Sequence, residues 1–334
     1  MIAIYILLCA ILSLPVTAQA PASYPHDMSN YGCTHYDEKT CDQAPAPPPD
    51  YNPLVGTWVR FSLLRNGFTV QPPDAPLYVK FNQDGHWLMM EFPADRPKVN
   101  KPLEQQTSQE LFKRFDMLAG GWGNYTQDGQ LNLRHHRAGL GPGEGGESTQ
   151  VRAWSFEGNI LLLAGTGSIR SPQARFRKLP NQPLGSRALV GTWERTALSL
   201  NGAPAAKPAP EYMLLGEDGW FHQATLPPGR TGPRGMPREK WTTQDYVNAY
   251  GGLAAARGTY NVSGSTFIRK HIADTDPNLE GRDEAGQFTL QGEMMTVQGA
   301  DAGGQKFEAK YRRMKPFDVY APVAPRAGAP KPKP

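Results

Sequence analysis

A chain of 334 residues with 39% hydrophobic side chains has enough apolar material for about two packed domains. Its 35 glycines and 32 prolines point to many turns and some extended sequence. The net charge of +4 is modest and the Lys and Arg residues form no stripe, which argues against a nucleic-acid partner.

The chain begins with an uninterrupted apolar run, Ile2 to Leu12, followed by Pro15 and small residues. That pattern predicts a secretory signal peptide over 1–18, cut after Ala18, because the run is too short to span a membrane. No second hydrophobic span follows, so a periplasmic or secreted protein is expected. Cys9 leaves with the signal, and Cys33 and Cys41 then most simply form one small disulfide loop in an oxidising compartment. A thiol pair binding metal is the alternative, but His35 alone adds too few ligands, so neither metal nor cofactor is expected. The segment 19–51 ends in a proline-rich run, Ala44 to Pro49, that favours an extended spacer.

An internal repeat organises the rest. Leu54-Val55-Gly56-Thr57-Trp58 returns as Leu189-Val190-Gly191-Thr192-Trp193, an offset of 135. Asn66-Gly67 returns as Asn201-Gly202, and Asp84-Gly85 as Asp218-Gly219 after a one-residue slip. Tyr125, Arg134 and His136 match Tyr260, Arg269 and His271 in register. Two units follow, 52–180 and 187–315, joined by a short linker, with 316–334 reading as a disordered Pro-rich tail.

Within the first unit, strands are expected over Thr57–Leu64, Leu77–Phe81, His86–Phe92, Gly123–Thr126, Leu131–Arg137, Val151–Phe156, Ile160–Ala164 and Ala174–Leu179. One helix interrupts them, capped by Thr107 or Ser108, with Leu111, Phe112, Phe115 and Leu118 on one face and Gly120-Gly121 at its end. Many short antiparallel strands with a single helix per unit predict a mainly β fold of two tandem barrels, which leaves no open sheet edge.

These elements resemble the bacterial lipocalin-like domain family, of calycin type. The resemblance rests on Gly-Thr-Trp opening the first strand, Asp-Gly in a hairpin, and Tyr250-Gly251-Gly252 ending a helix. Gly258-Thr259-Tyr260, a His-bearing strand from Phe267 to Ile272, the segment Asp276 to Arg282 and a closing strand with Arg312 complete it. The second unit is the closer match, since the first has a glycine-rich loop from Ala138 to Gly146. The resemblance implies that each opening Trp packs under an Arg of the last strand, pairing Trp58 with Arg177 and Trp193 with Arg312 as structural contacts.

The candidate ligand-binding residues are His271, Arg269, Tyr260, Tyr250, His136, Arg134 and Tyr125. Each His lies two residues after an Arg, so both share one face of a strand. Facing inward, such a pair holds an acidic ligand group, and the His can shuttle a proton. Facing outward, it leaves Leu131, Leu133 and Ile268 as the buried set, and alternation leaves both orientations open. His86 and His222 read as exposed strand histidines, and Asp274, Asp276, Glu280, Arg282 and Asp283 as a solvated loop at a barrel mouth. The tyrosines line a pocket or simply fill the core. No confident catalytic residue and no nucleophile or phosphate-loop motif is present. Three functions therefore stand: binding of a small, largely apolar ligand in a barrel cavity, a cofactor-free hydratase, isomerase, lyase or cyclase, and a structural envelope module. The second barrel is expected to carry the site. Oligomeric state is not readable from the sequence.

Overall fold

A computed structural model describes residues 52–320 apart from 66–67, 71–74, 94, 129–130, 143–147, 166–172 and 302–303. The expected signal peptide, the Cys33 and Cys41 pairing and the proline-rich spacer lie outside the described residues. No helix among the described residues is long and apolar enough to cross a membrane.

The fold is mainly β, as expected. The first sheet comprises β1 (Gly56–Arg65), β2 (Phe68–Val70), β3 (Leu77–Phe81), β4 (His86–Glu91), β5 (Ala119–Asp128), β6 (Leu131–Gly139), β7 (Ser148–Glu157), β8 (Ile160–Gly165) and β9 (Gln173–Lys178). The second comprises β10 (Gly191–Leu200), β11 (Ala203–Pro204), β12 (Glu211–Leu215), β13 (Trp220–Thr225), β14 (Ala254–Ser263), β15 (Thr266–Asp274), β16 (Asp283–Gln291), β17 (Met294–Ala300) and β18 (Lys306–Arg313). All pairings are antiparallel, and in each sheet the first strand also pairs with the last, β1 with β9 and β10 with β18. Closure satisfies both edges of the ring and leaves the short β2 and β11 as flaps outside it.

One helix enters each sheet, α1 (Ser108–Phe115) and α2 (Thr243–Tyr250). Thr107 caps the first and Thr242 the second, each through a capping box with an acid three residues on. Gly120 and Gly121, expected to end the helix, instead open β5, since α1 already stops after Phe115.

Strand alternation sorts the apolar residues into three cores. Leu77, Val79 and Phe81 point into the first barrel, and Met213, Leu215 and Phe221 into the second. The alternate residues of the same strands, with both helices, form a third core between the barrels that includes Leu88, Met90, Leu214 and Ala224. Phe115 and Tyr250, equivalent in the repeat, stack there at 4.4 Å and 3°. Trp122 stacks on Tyr212 at 3.7 Å, and reciprocally the Arg257 guanidinium lies 3.3 Å from the Tyr78 ring centre.

The repeat motifs are the contacts across this interface. Thr57 donates to Asp218 at 2.7 Å, while the Thr192 N–H donates to Asp84 at 2.7 Å and its hydroxyl at 3.0 Å. Arg96 donates to the Asp274 carbonyl and to Glu280, and its repeat partner Arg230 donates to the Gly139 and Leu140 carbonyls at 2.7 and 2.6 Å. The segments that follow each barrel cross to the other turn. Gln182 N–H donates to the Asp218 carbonyl and Phe317 N–H to the Asp84 carbonyl, both at 2.8 Å. Leu184 then packs against the second core and Val319 enters the first. The tail expected from Pro316 onward is therefore corrected: residues 316–320 close the first barrel, because Val319 is buried there and its carbonyl accepts from Gln127.

Candidate functional site

β15 alternates cleanly, with Phe267, Arg269 and His271 buried and Lys270 and Ile272 exposed. Arg269 and His271 thus face the interior of the second barrel, where an arginine needs a partner to offset lost hydration. Glu284, on the neighbouring β16, supplies it. Its carboxylate lies 2.8 Å from Arg269 and 3.1 Å from His271 Nε2, while His271 Nδ1 lies 2.7 Å from Asp274. Arg269 also donates to Gln223, and its guanidinium lies 5.7 Å from the Phe221 ring and 5.5 Å from Phe267.

The electrostatics follow from this enclosure. Burial works against charge on Glu284, but Arg269 and His271 hold its carboxyl down at about 2. Burial also opposes protonation of His271, and the hydrogen bonds to Asp274 and Glu284 outweigh it, raising the imidazole above its ordinary value. Arg269 is raised likewise, with Glu284 overcoming burial. A second buried group lies in the same barrel: Glu211 accepts from Arg195 at 2.6 Å, from Thr225 at 2.7 Å and from the Tyr311 hydroxyl at 2.6 Å.

The first barrel carries the same arginine with a neutral neighbour. Arg134 is buried and bonds to Gln150 at 3.2 Å, where Gln150 occupies the register position of Glu284. Burial, with Arg152 nearby, pushes Arg134 down to about 10. The backbone of His136 pairs with Gly123 and Ser148; its side chain lies outside the described residues.

The tyrosines are placed as fillers of the fold. Tyr125 donates to the Asn82 carbonyl and Tyr260 to the Gly216 carbonyl, both at 2.8 Å, so each clasps the Asp-Gly hairpin of its own barrel. Tyr250 lies in the core between the barrels, away from Arg269 and His271. The Trp partners shift by one residue from the expected Arg177 and Arg312. Lys178 Nζ lies 5.5 Å from the Trp58 ring, and the Arg313 guanidinium 4.3 Å from Trp193. These are the residues directly opposite in register, and a slip of one moves a side chain to the other face. Arg312 faces outward to Glu194 at 2.9 Å, and Arg177 is exposed.

Two further readings change. His86 and His222 are buried, not exposed, and His222 is fully enclosed between the barrels without a hydrogen-bond partner on either ring nitrogen. Burial, with Lys80 and Arg257 nearby, pushes its imidazole well below the ordinary range. Asp274 and Glu280 are not merely solvated, since they hold His271 and Arg96. Glu284 was missed, although its place opposite Arg269 on the next strand was a signal available in the sequence. Lys80 was missed as well; it is fully buried and donates to Asp218 at 2.8 Å and Thr57 at 3.0 Å. Among the described residues no group of three or more His, Cys, Asp or Glu side chains is arranged to hold a metal ion.

No protein-family model matches the chain, and no curated protein matches it. Among solved structures, a redesigned β-barrel is similar at 14% identity and a TM-score of 0.24, covering 40% of this chain and 98% of that one. A score that low adds nothing to the topology read above.

Proposed function

We propose that this chain is an exported small-molecule binding protein of two lipocalin-like barrels, with its ligand site at the polar end of the second barrel. One observation carries the reading: the second barrel buries Arg269, His271 and Asp274 with half-buried Glu284 beside them, where the first keeps an arginine beside neutral Gln150. Buried charges are costly, and apolar replacements often serve stability as well or better. A fold that closes without the acid in one copy does not need it in the other for closure, which favours a role in recognition. Phe221 and Phe267 supply an apolar wall and the ion-paired cluster of Arg269, His271, Asp274 and Glu284 a polar head, so the ligand is a small, largely apolar molecule bearing a hydrogen-bonding group. The export reading draws on the apolar N-terminal run and is tested by N-terminal sequencing, with Gln19 expected first.

Native mass spectrometry of the protein isolated from its source tests the site. A small molecule retained by the wild type and released by His271→Ala, but kept by His136→Ala, supports the proposal. Equal release from both variants gives two equivalent sites, and no retained molecule favours the structural-module reading. The second reading is a cofactor-free enzyme. It draws on His271 held between two carboxylates, an arrangement suited to proton transfer.

A further inference from the structure

A cleft of about 420 Å³ opens between the barrels, a size suited to a small organic ligand. It lies where the two copies meet, and its lining comes in repeat-related pairs: Val55 with Val190, Gly56 with Gly191, and Lys178 with Arg313. Neither barrel makes this cleft alone. We propose that it binds a small organic anion, a carboxylate with a short apolar body, with Lys178 as the principal cation.

The charges in the lining decide the sign. Lys80 and Asp218 neutralise each other at 2.8 Å. Asp84 is taken by Thr192, which approaches it at 2.7 and 3.0 Å, and by His86 at 3.1 Å. Arg313 pairs with Glu293 at 2.9 Å and donates to the Val190 and Ala188 carbonyls. Arg187 stays largely in solvent, with Glu217 only at 3.9 Å. Lys178 has no carboxylate within ion-pair distance among the described residues, and its ammonium rests over the Trp58 ring. Counted whole, the lining holds four cations, Lys80, Lys178, Arg187 and Arg313, against three carboxylates, Asp84, Glu217 and Asp218, an excess of one positive charge.

The backbone is shaped to admit these cations. A Cβ added to Gly56 meets the Lys178 side chain at 2.5 Å, and one added to Gly191 meets the Arg313 guanidinium at 2.7 Å. Both glycines take positive φ, 131° and 138°, a region other residues rarely adopt. The glycines of the two Gly-Thr-Trp motifs thus let the two cations lie along the cleft wall. Val55, Val190 and Met314, each partly exposed, supply apolar surface for the body of the ligand.

Isothermal titration calorimetry with octanoate on the full chain, with octan-1-ol as the neutral comparator, tests this. Octanoate should bind and weaken as salt rises. Lys178→Ala should lower its affinity about tenfold or more, as expected for a lost charged hydrogen bond, while Lys270→Ala on the outer face of β15 leaves it unchanged. Lys178→Met, which keeps cover over Trp58, should match Lys178→Ala if charge is the cause. Absent octanoate binding, equal affinity for octan-1-ol, or unchanged affinity in both Lys178 variants overturns the proposal. Weakening by His271→Ala in place of Lys178→Ala moves the anion to the second barrel and overturns it too.

Discussion

The two barrels share strand order, helix, capping box and interface contacts, yet their interiors differ in a patterned way. Both keep an arginine–glutamate pair near the first strand: Arg60 with Glu91 at 2.5 Å, and Arg195 with Glu211 at 2.6 Å. The acid sits on opposite members of a strand pair, since Leu77 faces Glu91 in one barrel and Glu211 faces Thr225 in the other. What both copies retain is the pair itself, delivered from either strand. By contrast, Glu284 and Asp274 around His271 have no charged counterpart described in the first barrel, where Gln150 stands at the position of Glu284. Retention in both copies marks what closure needs. A feature in one copy alone has been freed from that duty.

The largest effect is expected from removing Glu284. Glu284→Ala removes the carboxylate partner of buried Arg269 and should cost about 3–5 kcal/mol, whereas Gln150→Ala removes a neutral acceptor from buried Arg134 and should cost about 1–3 kcal/mol by urea unfolding of the full chain. Equal costs would erase the distinction between the barrels. His222→Leu should move stability the other way, by about 1–3 kcal/mol, because it removes an unsatisfied buried polar group. Leu88 already occupies the equivalent position in the first barrel. Val319→Ala should destabilise by roughly 1–2 kcal/mol through lost apolar burial.

The smallest effect is in pH. His271 has a raised folded value, so its contribution is complete below about pH 6.5 and fades as pH rises through that folded value. His222 has a depressed folded value, so its contribution is complete above about pH 6.5 and is lost as the unfolded chain takes up protons below it. Thermal melts across pH 5 to 8 should therefore lose their acid-side decline in His222→Leu and their alkaline-side decline in His271→Ala. A wild-type slope that survives both substitutions would assign the pH dependence elsewhere.

Periodicity and the repeat made the barrels, the helices and Thr107 as a cap legible, because these depend on residues close together in the chain. The orientation of Arg269 was not legible, because both faces of β15 carry apolar residues: one face lines the barrel and the other holds Ile268 in partial burial. The Trp partners were missed by one residue. The resemblance implied an Arg of the last strand, and only the register, Trp58 opposite Lys178 and Trp193 opposite Arg313, fixes which side chain shares the face. The burial of His86, His222 and Lys80 depends on the docking of one barrel on the other. A repeat pattern shows that two units exist and is silent about how they meet.

The crossing of residues 316–320 into the first barrel has a consequence for how the chain is made. The first barrel has all its strands once Lys178 has been synthesised, but the side chain that stops its end, Val319, arrives only after β18. The second barrel has its own stopper, Leu184, before its first strand begins. The barrel synthesised second can therefore be finished first, and the earlier one waits, open at one end, for the chain to return.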